Sequence, residues 1–289
     1  MRFYRFTLGL TYTVVMDIWD QHFAARSLMF EPLRPLGTGL SDGTWPTPEQ
    51  LTAMARNAAI VSGGRQPVRF EAVTTGAAPA AADYEWRCYT EGVVALREGC
   101  WHDFFNAAAW VTFPHIKAAL NRAHIDALRV QAARQRSRKR DAMTLFDESG
   151  VLVLSSNRAV LEGIRSFDWQ RVFWQERDTL ANTTRFVMVG HALYEKALSP
   201  YVGMTGHALL LEMPDTGAWR DGAAWIAQAD ARAAKALAGI AEPGDLSPLP
   251  VLGVPGWWEA NRDAAFYANT AYFRAGRTRG PAITRDAPA

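Results

Sequence analysis

Cysteine is scarce in this chain. Among 289 residues there are two, Cys88 and Cys100, in no Cys-x-x-Cys arrangement. Their spacing supports neither a zinc site nor a disulfide framework, and two ordinary reduced thiols in a cytoplasmic protein is the plainer reading. Long hydrophobic runs are absent too. The apolar stretch at residues 6–16, which follows Arg2 and Arg5, is about half the roughly 20 residues that a membrane span needs. It is broken by polar residues and glycine and lacks a convincing small-x-small cleavage site, which disfavours a signal peptide; Met16 as the real start is a third reading. No membrane span is expected. A large charge of either sign is missing, the formal net charge being +2, so nothing at whole-chain level points to a polyanionic partner. There is no Gly-x-Ser-x-Gly elbow, P-loop, dinucleotide fingerprint or His-Glu-x-x-His helix, which excludes the classes those motifs define. No internal repeat is present.

What the chain does have is aromatic bulk: 11 Trp and 14 Phe, implying a core or cleft built on large flat side chains. A chain of this length buries roughly three quarters of its unfolded surface. The pattern predicts an N-terminal extension at residues 1–16, one globular domain at 17–274 and a disordered tail at 275–289.

The chain is organised around residues 99–113. From Ala107 to Phe113 only Thr112 is polar, so a helix here is apolar around its circumference and buried on all sides. Its polar groups, His102, Asp103 and Asn106, gather in the first turn. Buried without partners, such groups cost roughly 2–7 kcal/mol each, so something in the interior must answer them.

Before this segment, Thr47 followed by Pro48 caps a helix reaching about Ala59. Residues 68–73 alternate as a strand does, residues 76–82 form a small-residue loop, and residues 84–97 form a hairpin leading into the central helix. After it, Pro114 marks a kink or a new helix, and residues 115–133 form an amphipathic helix ending in the basic run at 134–140. Residues 142–146 and 151–154 read as two strands of a hairpin. Ser156 or Asn157 caps a broken helical stretch to about Leu180. Residues 185–190 form a strand entering a helix at 191–198, residues 207–213 a further strand, and residues 218–240 an alanine-rich helix. The fold class is α+β, a small mixed sheet near residues 142–213 covered by helices.

Four runs occur in order: Trp101-His-Asp-Phe-Phe-Asn106, Asp141-Ala-Met-Thr-Leu-Phe-Asp-Glu148, Gly190-His-Ala-Leu-Tyr-Glu-Lys196 and Pro250-Val-Leu-Gly-Val-Pro-Gly-Trp-Trp258. Together they resemble a bacterial family, mainly proteobacterial, catalogued as a domain of unknown function and sometimes labelled transmembrane. The resemblance implies a bacterial origin and a single unit over about residues 17–274. It brings no catalytic residues, and the transmembrane label finds no support in the residues.

The leading candidate site is His102, Asp103 and Asn106. His102 and Asn106 share a helix face while Asp103 points about 100° away, so the trio suits a metal or acid–base chemistry. The plainer reading makes Asp103 the N-cap, with Asn106 bonded locally and His102 outside the helix. His102-Asp103 also resembles the pair of the HD-type metal phosphohydrolases, but their pattern needs another upstream histidine and only His22 precedes it.

His191 and Glu195 follow, one turn apart where a strand ends at Gly190 and a helix begins; they form a ligand pair or, more plainly, a surface contact. Asp141 and Asp147 would share a strand face, while Asp147 and Glu148 suit a turn. The basic run is a solvated helix end rather than a nucleic-acid surface. Trp257, Trp258 and Asn261 close a core rather than stack a ligand, and His115, His124 and His207 have no role.

The expected function is a hydrolase using a metal-bound or base-activated water. His102, Asp103 and His191 serve as ligands, for a divalent metal if one is used, or as acid–base groups; Glu195 and Asn106 position them. The alternative is a non-catalytic binding or scaffold protein in which these groups form a structural network. A small-molecule ligand fits either reading.

Overall fold

The computed structural model describes residues 17–40, 43–73, 81–130, 137–213 and 222–276. The predicted extension at residues 1–16, residues 76–80 of the predicted loop, residues 134–136 of the basic run and residues 277–289 of the predicted tail lie outside them.

After two short 3-10 turns the chain forms α1 (Arg34–Gly39) and α2 (Pro48–Asn57). α2 starts as the sequence predicts: the Thr47 side chain accepts from the Gln50 amide and Gln50 answers the Thr47 amide, with proline in the first turn. β1 (Arg69–Ala72) then pairs in parallel with β2 (Val93–Leu96). Between them lies α3 (Ala81–Glu91) in place of the predicted hairpin strand. The alternation at Tyr84, Trp86 and Cys88 suggested a strand, but Tyr84 and Cys88 are also one helical turn apart, and the helix buries Cys88.

The central helix is α4 (Trp101–Thr112), followed immediately by α5 (Pro114–Val130). Pro114 opens a new helix, where its missing amide costs nothing. α6 (Arg138–Ser149) corrects a second predicted hairpin. Ala142, Met143 and Phe146 are buried at helical spacing, and Gly150 passes directly from helix to strand. The main sheet follows: β3 (Gly150–Ser155), β4 (Thr184–Met188), β5 (Thr205–Glu212) and β6 (Ser247–Pro250). It runs in the order β4-β3-β5-β6, parallel between β3 and β5 and antiparallel at its other two pairings. The connections carry α7 (Arg158–Arg165, capped by Asn157), α8 (Arg177–Thr183), α9 (His191–Ala197) and α10 (Gly222–Leu237). The fold is α+β, a mixed sheet covered by helices.

β3 is buried at all six positions, as expected of a strand covered on both faces. Val151 and Val153 pack into one apolar cluster with Trp101, Phe104, Phe105 and Ala108, while Leu152 and Leu154 pack into a second with Ala109, Phe113, Ile116 and Leu120. A third cluster, beside β1 and β2, takes Ala107 and Trp110. α4 therefore stands where three cores meet, which is why its sequence is apolar all round. Trp257 packs edge-on to Phe186, and Asn261, fully buried, donates to the carbonyls of Leu252 and Val254, so the C-terminal tryptophan segment closes a core. Among the described residues, no helix is long and apolar enough to cross a membrane.

Candidate functional site

The first turns of α4 face a cleft of about 400 Å³ lined by His102, Asp103 and Asn106, by Tyr84 and Glu85 of α3, and by residues of β2, α5, α6 and α9.

His102 and His191, distant in sequence, meet edge to face with ring centroids 4.7 Å apart. Each has its Nδ1 engaged: that of His102 lies 2.8 Å from Glu195 Oε2, and that of His191 lies 2.7 Å from the Asp147 carbonyl oxygen. A carbonyl only accepts, so His191 carries its proton on Nδ1 and its Nε2 keeps a lone pair. Burial pushes the His191 pKa down to about 4, against the pull of the Asp147 carboxylate, so the ring is neutral near pH 7. Glycine at 190 makes this arrangement possible. A Cβ there would lie 2.4–2.5 Å from Ser149 N, Glu148 O and Gly150 N, and only a bare backbone lets α9 start so close to the end of α6.

Beneath the imidazoles runs an ion-pair network. Lys117 of α5, buried, donates to Asp147 Oδ1 at 2.5 Å and to Asn106 Oδ1 at 2.9 Å, with its ammonium 5.6 Å from the centre of the Trp110 ring. Asn106 Nδ2 in turn donates to the Tyr84 hydroxyl at 2.9 Å. Burial raises the proton affinity of Asp147, but Lys117 and His191 outweigh it and hold the carboxylate below its usual range. Glu85 goes the other way. Its burial lifts the carboxyl pKa to about 7, opposed by the 2.7 Å bond from Asn121 Nδ2. Burial likewise lifts the Tyr84 pKa well above that of a free phenol. The cleft thus holds Asp147, kept ionised, together with Glu85, which shares its proton near neutrality, the kind of separation that acid–base sites use.

The five predicted residues come together: His102, Asp103, Asn106 and His191 line the cleft, and Glu195 stands at its edge on His102. Their individual roles need correction. Asp103 is not the N-cap, which is Cys100. It accepts from the Arg97 amide at 2.7 Å and from Arg97 Nε and Nη2 at 2.8 and 2.7 Å, a two-point fork that overcomes burial and keeps Asp103 ionised. Asn106 bonds to distant helices and not locally. Glu195 pairs with His102 and not with His191 of its own helix.

Asp141 and Asp147 lie on α6, six positions and therefore about 120° apart around a helix, so the shared strand face does not exist. The described part of the basic run opens α6 and does not end α5. Arg138 pairs with Glu242, Lys139 reaches the Ala238 carbonyl, and Arg140 lines the cleft; they form no common basic face. Among the described residues, no group of three or more His, Cys, Asp or Glu side chains is disposed to hold a metal ion, and Arg97 already occupies both oxygens of Asp103, one of the three proposed ligands.

Sequence reasoning missed Tyr84, Glu85, Lys117, Asn121 and Arg140. A signal was present for some of them. Lys117, Asn121 and His124 recur at steps of four and three, a buried polar stripe on a helix read only for its apolar one.

This is an α+β protein whose central buried helix presents a polar cleft with two imidazoles at its wall. Residues 68–277 match the model of the family described as protein of unknown function (DUF3025), and the chain belongs to that family. No curated protein and no solved structure matches it.

Proposed function

We propose that the cleft is the active site of a hydrolase that works through a base-activated water. The observation that carries this reading is the pair of imidazoles at the cleft wall, each with Nδ1 held by an acceptor and with no partner for either Nε2 among the described residues. Glu195 orients the His102 ring and stabilises the imidazolium formed when His102 Nε2 takes a proton from water. The resulting hydroxide attacks the substrate, and His102 returns the proton to the leaving group. His191, neutral, accepts a hydrogen bond at Nε2 and orders the water or substrate beside His102. Asp103 acts through Arg97, and Asn106 through Tyr84 and Lys117, so both are positioning residues. The Asp103 fork favours base catalysis over metal-bound water, because it takes away a carboxylate that a metal would need.

A second reading, a non-catalytic binding protein, draws support from the Lys117–Asp147–Asn106 network, whose members satisfy one another inside the fold. His102→Ala separates the two. His102 is partly exposed at the cleft edge, so the variant is expected to melt close to wild type while losing turnover of generic ester, amide and phosphate substrates; chelator is expected to leave wild-type turnover unchanged. A sharply lowered melting temperature, or a wild type no faster than the variant on every substrate, removes the hydrolase reading.

A further inference from the structure

The direction of the hydrogen bonds under the cleft leaves one donor over. Lys117 can only donate, so the Asn106 atom facing it is the carbonyl oxygen, and the amide nitrogen must donate to the Tyr84 oxygen. The Tyr84 hydroxyl therefore accepts from Asn106, and its own proton needs a further acceptor. None is found among the described residues, although Tyr84 lines the cleft and burial keeps its hydroxyl protonated. A donor in such a place loses stability unless water or a ligand accepts from it.

A second cleft residue has the same need. The other cations here are neutralised within the fold, Arg97 by Asp103 and Lys117 by Asp147. Arg140, half-buried in the first turn of α6, has no ion-pair partner among the described residues. The nearby Glu85 carboxyl interacts with the Arg140 charge but is lifted to about 7 by burial, and Glu148 is exposed at the cleft edge. A guanidinium without an ion-pair partner and an unsatisfied hydroxyl lining one cleft are a donor set for oxygen anions.

We propose that the cleft binds the anionic group of a small molecule, a carboxylate or a phosphate, through the Tyr84 hydroxyl and the Arg140 guanidinium. This deepens the hydrolase reading by naming its substrate class, and rests on the same cleft being the working site. Asn106 is the positioning residue that turns the Tyr84 proton outward.

The test titrates the full chain with inorganic phosphate and, separately, with acetate, following amide shifts by NMR. At least one anion is expected to saturate, with shifts centred on α3 and the start of α6. Arg140→Gln and Tyr84→Phe are each expected to weaken binding by about tenfold or more. Arg138→Gln, whose side chain pairs with Glu242, is expected to bind as wild type. Saturation by phosphate alone assigns a phosphoryl group, by acetate alone a carboxylate, and either supports the proposal. Failure of both anions to saturate, or wild-type binding by a folded Arg140→Gln or Tyr84→Phe, overturns it; if Tyr84→Phe does not fold, Arg140→Gln decides. No turnover is measured, so anion binding in a protein without hydrolytic activity keeps this inference and removes the other. Turnover that depends on His102 in a protein that binds neither anion does the reverse.

Discussion

Lys117 shows what a single buried charge demands. Its ammonium has a carboxylate, an amide oxygen and an indole face as neighbours, and with side-chain exposures of 4% for Lys117 and 19% for Asp147 little water reaches the pair. Asp147→Ala strands the cation, and an expected loss of about 3–5 kcal/mol follows from leaving a buried charge uncompensated. Adding Lys117→Met to that variant removes the stranded charge and is expected to recover much of the loss. Denaturant unfolding of the two single variants and the double variant checks this, and a double variant less stable than Asp147→Ala contradicts it. At the same scale, Asp103 illustrates why a residue type alone misleads. A carboxylate in the first turn of a helix suggests a cap, yet the partner that decides its role is Arg97, on the preceding strand side of a turn.

At the scale of elements, legibility followed the number of faces a segment buries. α4 was readable because apolarity on every side has one meaning, and α2 because its cap, proline and glutamine are local. α3 and the middle of α6, residues 142–146, were misread as strands for a shared physical reason. A short segment with two or three inward residues fits both a period of two and a period near 3.6, and only the packing partners decide. In α6 the partners are α5, α9 and the sheet; in α3 they are β2 and α5. The site was legible at His102, Asn106 and His191, where histidine or amide stands at the edge of an apolar run. It was not legible at Tyr84, Glu85 and Arg140, because what singles them out is the set of partners the fold gives or denies them, and sequence does not show partners.

The whole molecule carries opposing proton balances. Burial lowers both His191 and His207 from 6.5 to about 4. The unfolded chain therefore takes up two protons between about pH 6.5 and 4 that the folded chain refuses, and these groups make stability fall as pH falls through that window. Glu85, raised from 4.5 to about 7, binds its proton more tightly when folded, so its contribution is present below pH 4.5 and is lost as pH rises to 7. Two histidines outweigh one glutamate, and wild type is expected to lose stability on acidification from pH 6.5 to 4. Glu85→Gln removes the opposing term and is expected to steepen that loss, as measured by denaturant midpoints across the range; a flatter profile in the variant contradicts the assignment.

The chain contains four lysines, and of these only Lys117 is buried. An amine-acylating reagent applied to the native protein is expected to mark Lys139, Lys196 and Lys235 at once and Lys117 only as fast as the helices around it part. Mass spectrometry of that one peptide then serves as a clock for opening, and a ligand that holds the cleft shut would slow it.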